Sequence, residues 1–187
     1  MNVKGTFFAT TKSTVSEAFG EERWNKFMAR LAVKEKYFKD TIIMSITLIP
    51  LDKCILLFDE LIDECFNGDK NAYVMFGRIG AKHALSSGGT YQSLMLTKDL
   101  KQFVESGLPK IYLAYFDGGS VTARLENNIV YVRITGFPIK HEDYEKLLMG
   151  YYKQVLKVYG KKSTETMVRS LSAGDNDIYY KYVLKDS

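Results

Sequence analysis

Histidine and cysteine are scarce in this 187-residue chain: there are two of each, and no histidine lies between Ala84 and Lys140. Cys54, Cys65, His83 and His141 never fall at the short paired spacing that zinc sites use, so no metal centre is expected. Cys54 and Cys65 share one predicted helix, where a rise of about 1.5 Å per residue keeps them too far apart to bond to each other. Reduced thiols and a cytoplasmic location are the expectation. A Gly-x-Ser-x-Gly elbow is missing, and Gly77-x-x-Gly80 lies inside a predicted helix with no Lys-Ser/Thr after it, so it makes no phosphate loop. The longest apolar run, Ile42 to Leu51, is interrupted by Ser45, Thr47 and Pro50 and falls short of the ~20 residues that span a bilayer. No charged start followed by an apolar stretch marks a signal peptide. The net charge of +4 comes from 26 basic and 22 acidic residues that are interspersed, so no basic stripe for nucleic acid is seen. No Pro/Gly/Ser-rich linker or repeat divides the chain. One domain over 1–187 is expected, helical to about residue 117 and sheet from about 118.

What the chain does hold is aromatic area, 13% of its residues, within the 46% hydrophobic and 26% charged balance of a globular protein. Two helices are predicted before residue 40, meeting at Gly20, with Trp24, Phe27, Met28 and Leu31 at helical spacing in the second. Pro50 suits a helix start, Leu51, Ile55, Phe58, Ile62 and Cys65 make one apolar face after it, and Asn67-Gly68 ends that helix. The helix predicted over 72–86 carries Gly77, Gly80, Ala81 and Ala84, which implies a close neighbour to offset the cost of interior glycine. Thr97–Val104 and Pro109–Phe116 read as further helical pieces.

The period then changes. Val121, Ala123 and Leu125 alternate with polar residues, as do Val130, Val132 and Ile134 after Asn127-Asn128. A two-residue turn pairs Leu125 with Val130, Ala123 with Val132 and Val121 with Ile134, putting the apolar residues on one face and both arginines on the other. A helix follows over 141–159, then strands over 164–171 and 177–184, with Tyr180 facing inward beside Ile178 and Tyr182. The class is α+β, with an antiparallel sheet of about four strands in the order β-β-α-β-β.

Catalysis is not expected. The carboxylate pairs Asp59/Glu60 and Asp63/Glu64 lie on the polar side of an amphipathic helix, His83 reads as a solvated imidazole, and His141 opens a helix beside Glu142 and Asp143. Arg124, Arg133 and Tyr131 share one sheet face, where guanidinium groups can bind carboxylate or phosphate by paired hydrogen bonds; an ordinary polar face is the plainer reading. Phe76, Ile79, Phe103, Tyr112 and Phe116 are the candidates to line an apolar pocket between helices and sheet, with plain core packing as the alternative for each.

Val3-Lys4-Gly5-Thr6-Phe7, Phe19-Gly20-Glu21-Glu22, Ile49-Pro50-Leu51, Phe76-Gly77-Arg78 and Thr135-Gly136-Phe137-Pro138 occur in order, followed by Gly150-Tyr151-Tyr152…Gly160 and Gly174-Asp175. In this the chain resembles an uncharacterised bacterial family related to the H-NOX (haem nitric oxide/oxygen binding) domain, in a superfamily with 4-vinyl-reductase-like domains and TRAPP tethering subunits. The resemblance implies an H-NOX-like fold. It does not carry the haem residues over. H-NOX proteins hold iron through a histidine on a helix before the sheet, absent here, and clamp haem with Tyr-x-Ser-x-Arg, where this chain has Tyr131-Val132-Arg133-Ile134-Thr135. Cysteines that flank the final Gly-Asp in the reductase-like members are Ser170 and Ile178 here. The expectation is a non-enzymatic, haem-free sensory or ligand-binding domain for a small hydrophobic molecule, without a cofactor, acting in signalling with a partner protein or as a homodimer. A TRAPP-like interaction or dimerisation module is the alternative, and tetrapyrrole binding comes third.

Overall fold

The computed structural model describes every residue except Thr90, Lys98, Asp186 and Ser187. The chain divides into two compact units, one from Asn2 to Ala72 and the other formed by Met1 with the residues from Tyr73 on. The change from helix to strand near residue 118 falls within the second unit. Among the described residues no helix is long and apolar enough to cross a membrane.

The first unit opens with a short strand β1 (Asn2–Lys4), followed by α1 (Thr6–Phe19), α2 (Glu21–Lys34) and α3 (Lys36–Asp40). A second short strand, β2 (Leu48–Pro50), pairs antiparallel with β1, Val3 opposite Ile49, and leads into α4 (Leu51–Phe66). Gly20 breaks α1 from α2 at φ +87°, and Asn67 ends α4 in the left-handed region at φ +51°. Helix α4 buries Leu51, Cys54, Ile55, Leu57, Phe58, Leu61 and Ile62, a wider face than the heptad-like spacing suggests, and leaves Cys65 half-buried. Its acidic side is used: Glu64 pairs with Arg23 and Arg30, and Glu60 with Lys34. Among the described residues neither Cys54 nor Cys65 forms a disulfide.

The second unit takes most of α5 (Asn71–Leu85), then α6 (Leu100–Gln102) and α7 (Leu108–Tyr115). Asp99 caps α6 by accepting from the Lys101 and Gln102 N–H groups. Between α6 and α7 the helix loosens into a π turn, Phe103–Gly107, where the Leu108 N–H reaches back to the Phe103 carbonyl. Pro109 supplies the reason: having no N–H, it interrupts the ladder there whatever the local pitch. Residues 100–115 are therefore one helical stretch with an internal irregularity, where sequence spacing suggested separate pieces.

Strands β3 (Ser120–Glu126), β4 (Ile129–Thr135), β5 (Ser163–Arg169) and β6 (Ile178–Leu184) form a four-stranded antiparallel sheet in the order β3-β4-β6-β5. The β3–β4 register is the expected one, Leu125 opposite Val130, Ala123 opposite Val132 and Val121 opposite Ile134. Asn127 in the turn has φ +53°, a conformation asparagine tolerates better than most residues. Helix α8 (Glu142–Val158) joins β4 to β5, and His141 caps it, its Nδ1 accepting from the Tyr144 N–H at 3.1 Å. The inner sheet face buries Val130, Val132, Ile134, Ile178, Tyr180 and Tyr182. Two of those tyrosines also bind the helix above them: the Tyr180 hydroxyl donates to the Glu145 carbonyl at 2.6 Å and Tyr182 to the Met149 carbonyl at 2.9 Å. Tyr180→Phe should thus cost about 1 kcal/mol in urea unfolding, because it removes a buried hydrogen bond with little change in volume. An unchanged midpoint would show that this bond contributes nothing.

Candidate functional site

The apolar candidates lie inside the second unit. Phe76, Phe103, Tyr112 and Phe116 are buried and Ile79 is partly so. Phe103, on the π turn, stacks on Tyr159 with ring centroids 4.2 Å apart and 9° between planes. Tyr112 stacks on Phe116 at 4.7 Å and donates its hydroxyl to the Gly118 carbonyl, and Phe116 meets Phe137 edge-on. These rings do not all face one another, so the set is a packed core with separate aromatic pairs.

Next to it is a group of phenols that sequence spacing did not single out. Tyr115 packs edge-on against both Tyr91 and Tyr151, and Tyr151 against Tyr152. Burial raises the phenols of Tyr115 and Tyr151 well above their ordinary ionisation range, so both remain neutral. The Tyr91 hydroxyl donates to the Ala114 carbonyl at 3.0 Å. The Tyr151 hydroxyl is buried and interacts with that of Tyr115, but makes no well-formed hydrogen bond among the described residues.

The outer sheet face brings together Arg124, Tyr131 and Arg133, as the register required, and adds Arg169, Tyr179 and Asp177. Each strand contributes one member of a stack. The Arg124 guanidinium lies 4.7 Å from the Tyr131 ring centre, Tyr131 and Tyr179 stack at 5.8 Å and 13°, and the Arg169 guanidinium lies 4.5 Å from Tyr179. Arg124 also donates to the Tyr179 hydroxyl at 3.1 Å and pairs with Glu126. Below the stack, the Asp177 carboxylate accepts from Arg133 Nε at 2.6 Å and from Arg169 Nε at 2.5 Å. Burial pushes the Asp177 carboxyl up, but hydrogen bonds from Arg169 and Arg133 outweigh it and hold the group below the usual carboxylate range. A groove of about 410 Å³ lies over these side chains. Because both aromatic rings are covered by their neighbours, the face offers guanidinium donors and no bare ring for a nucleobase to stack on.

Gly174-Asp175 turns the last hairpin with its polar groups consumed locally: the Asp175 carboxylate accepts from the Ser170 N–H at 2.8 Å, and Ser170 Oγ accepts from the Ser172 and Ala173 N–H groups. Among the described residues no three His, Cys, Asp or Glu side chains gather in a way that could hold a metal ion.

No family model matches the chain, and no curated protein does either. Solved structures do. The H-NOX domain of Shewanella oneidensis in its Fe(II)CO state is 13% identical with a TM-score of 0.78, covering 98% of this chain and 99% of that one. A crystal structure of an H-NOX protein from S. oneidensis in the Fe(II)NO state gives 0.74 at 13% identity over 98% and 99%. The unliganded Fe(II) H-NOX protein of K. algicida gives 0.69 at 11% identity over 98% and 97%. The chain therefore has the H-NOX fold, a distant likeness carried by structure rather than by sequence identity.

The residues present do not fit a histidine-ligated haem in the second unit. Its helical stretch before the sheet holds Phe103 against Tyr159 and no histidine. His83 is exposed on α5, and His141 Nδ1 is occupied as the cap of α8.

Proposed function

We propose that this chain is a non-enzymatic, haem-free sensory or ligand-binding module whose second unit takes a small, largely apolar molecule. The observation that carries the reading is the Tyr151 hydroxyl, buried among aromatic rings, with no well-formed hydrogen bond among the described residues and only the neighbouring Tyr115 phenol to interact with. An orphaned buried hydroxyl costs about 1–3 kcal/mol, and a ligand bearing one acceptor would remove that cost. The fold supports the sensory part of the proposal, and the unsuitable donor set supports the haem-free part. Such a module acts by passing its bound state to a signalling partner.

Native mass spectrometry and an absorption spectrum of freshly purified protein test this. The expected result is a colourless protein that releases a small organic molecule on denaturation and gains no Soret band when haem is added. Tyr151→Phe should weaken retention of that molecule and leave the apo protein at least as stable as before. A Soret band, or an apo protein from which nothing is released, would overturn the proposal.

One observation favours a second reading, a protein-interaction or dimerisation module: the buried Asp177 fixes Arg133 and Arg169 on an otherwise open sheet face. It predicts a dimer in light scattering that Arg133→Ala dissociates.

A further inference from the structure

Another groove in the second unit is built from residues far apart in sequence. Arg78 of α5, Lys153 and Lys157 of α8, Lys162 and Ser163 at the start of β5, and Lys185 just past β6 surround a volume of about 300 Å³. Glu165 pairs with Arg78 at 3.4 Å and with Lys153 at 2.5 Å, which positions those two cations. Lys157, Lys162 and Lys185 have no acidic partner among the described residues. Nor are they consumed in capping α8. Its final carbonyls already accept from backbone N–H groups: Val155 from Tyr159, Leu156 from Lys161 and Lys157 from Gly160. Ser163, which lines the groove, is a buried residue whose hydroxyl has no hydrogen-bond partner among the described residues.

Like charges held this close on several elements repel one another unless an anion joins them. We propose that this groove binds an anion carrying adjacent phosphate groups. Lysine suits that chemistry as a mobile point charge, and Arg78 adds a guanidinium at the same groove. Adjacent phosphates match this groove because its ammonium groups come from three elements around a volume of about 300 Å³, room for more than one phosphate. The proposal is independent of what the aromatic interior binds.

Titration calorimetry with inorganic tripolyphosphate at low ionic strength tests it, with inorganic phosphate as the comparison. One tripolyphosphate should bind per chain, at least about tenfold tighter than phosphate. Lys157→Gln and Lys185→Gln should each weaken binding about fivefold. Arg124→Gln removes the same charge from the outer sheet face and should change affinity less than about twofold. Equal effects of all three substitutions would reduce the result to net charge and overturn the site. So would lysine variants that bind like the parent, or a single-stranded oligonucleotide that displaces tripolyphosphate with the same lysine dependence.

Discussion

Gly77→Ala should cost the protein about 3 kcal/mol or more, read as a lowered urea midpoint at unchanged slope. A Cβ at this position would sit 2.1 Å from the Leu147 carbonyl oxygen and 2.9 Å from the Tyr151 nitrogen, both backbone atoms of α8. Neither can swing aside as a side chain would, so one helix must move bodily and take its packing with it. The contact is reciprocal: a Cβ on Gly150 of α8 would lie 2.6 Å from the Val74 carbonyl oxygen of α5. The control is one turn further along the same helix. At Gly80 the nearest atoms to an added Cβ are Tyr151 ring carbons at 3.9 Å, ordinary contact. Gly80→Ala should therefore stabilise by up to about 1 kcal/mol through helix propensity. If both alanine variants moved the midpoint alike, the close crossing of α5 and α8 would be wrong.

Asp177→Ala should cost about 2 kcal/mol at neutral pH, less than removal of one partner from a wholly buried pair because both arginines reach solvent. The Asp177 side chain is 5% exposed against 52% for Arg133 and 40% for Arg169. Its loss leaves the two guanidinium groups facing each other with nothing between. The pH dependence follows from the direction of the shift. The folded carboxyl titrates below its unfolded range near 3.9, so its contribution is present above that range and disappears as pH falls through the folded value. Parent and variant stabilities should converge in strong acid. A constant gap from neutral pH down to acid would show that Asp177 acts through packing alone.

The hairpin from β3 to β4 was legible in the sequence because two alternating runs and a short Asn-Asn turn admit one register. The inward set Ile178, Tyr180 and Tyr182 was legible for the same reason, and so were the caps of α4 and α8. Arg169 was not. Simple alternation from Met167 points it inward, but the register shifts between Met167 and Arg169, pairing Met167 with Tyr180 and Arg169 with the outward Tyr179. That bulge re-aims one side chain and completes the outer stack. Asp177 sits just outside the strands, so no periodicity marked it. Strands β1 and β2 are each three residues long and pair across more than forty positions, leaving no local signal. Phe76, Phe103, Tyr112 and Phe116 are buried, yet which rings meet is decided by helix crossings that composition does not encode. The lysine groove gathers residues numbered 78, 153, 157, 162 and 185, a cluster that exists only after folding.

The strand order also bears on how the chain reaches this state. Strand β6 lies between β4 and β5, although it follows both in sequence. During synthesis the β3–β4 hairpin, α8 and β5 all emerge before the strand that joins them. Until β6 arrives, β4 has one unpaired edge and β5 has no partner, so two hydrogen-bonding templates stand open together. Strand β6 pairs with β5 as a local hairpin, and its docking on β4 closes the remaining edge and buries Tyr180 and Tyr182. Non-local closure of this kind is slow relative to helix formation, which makes the interval before it the period in which the nascent protein is most exposed to aggregation and most dependent on chaperones.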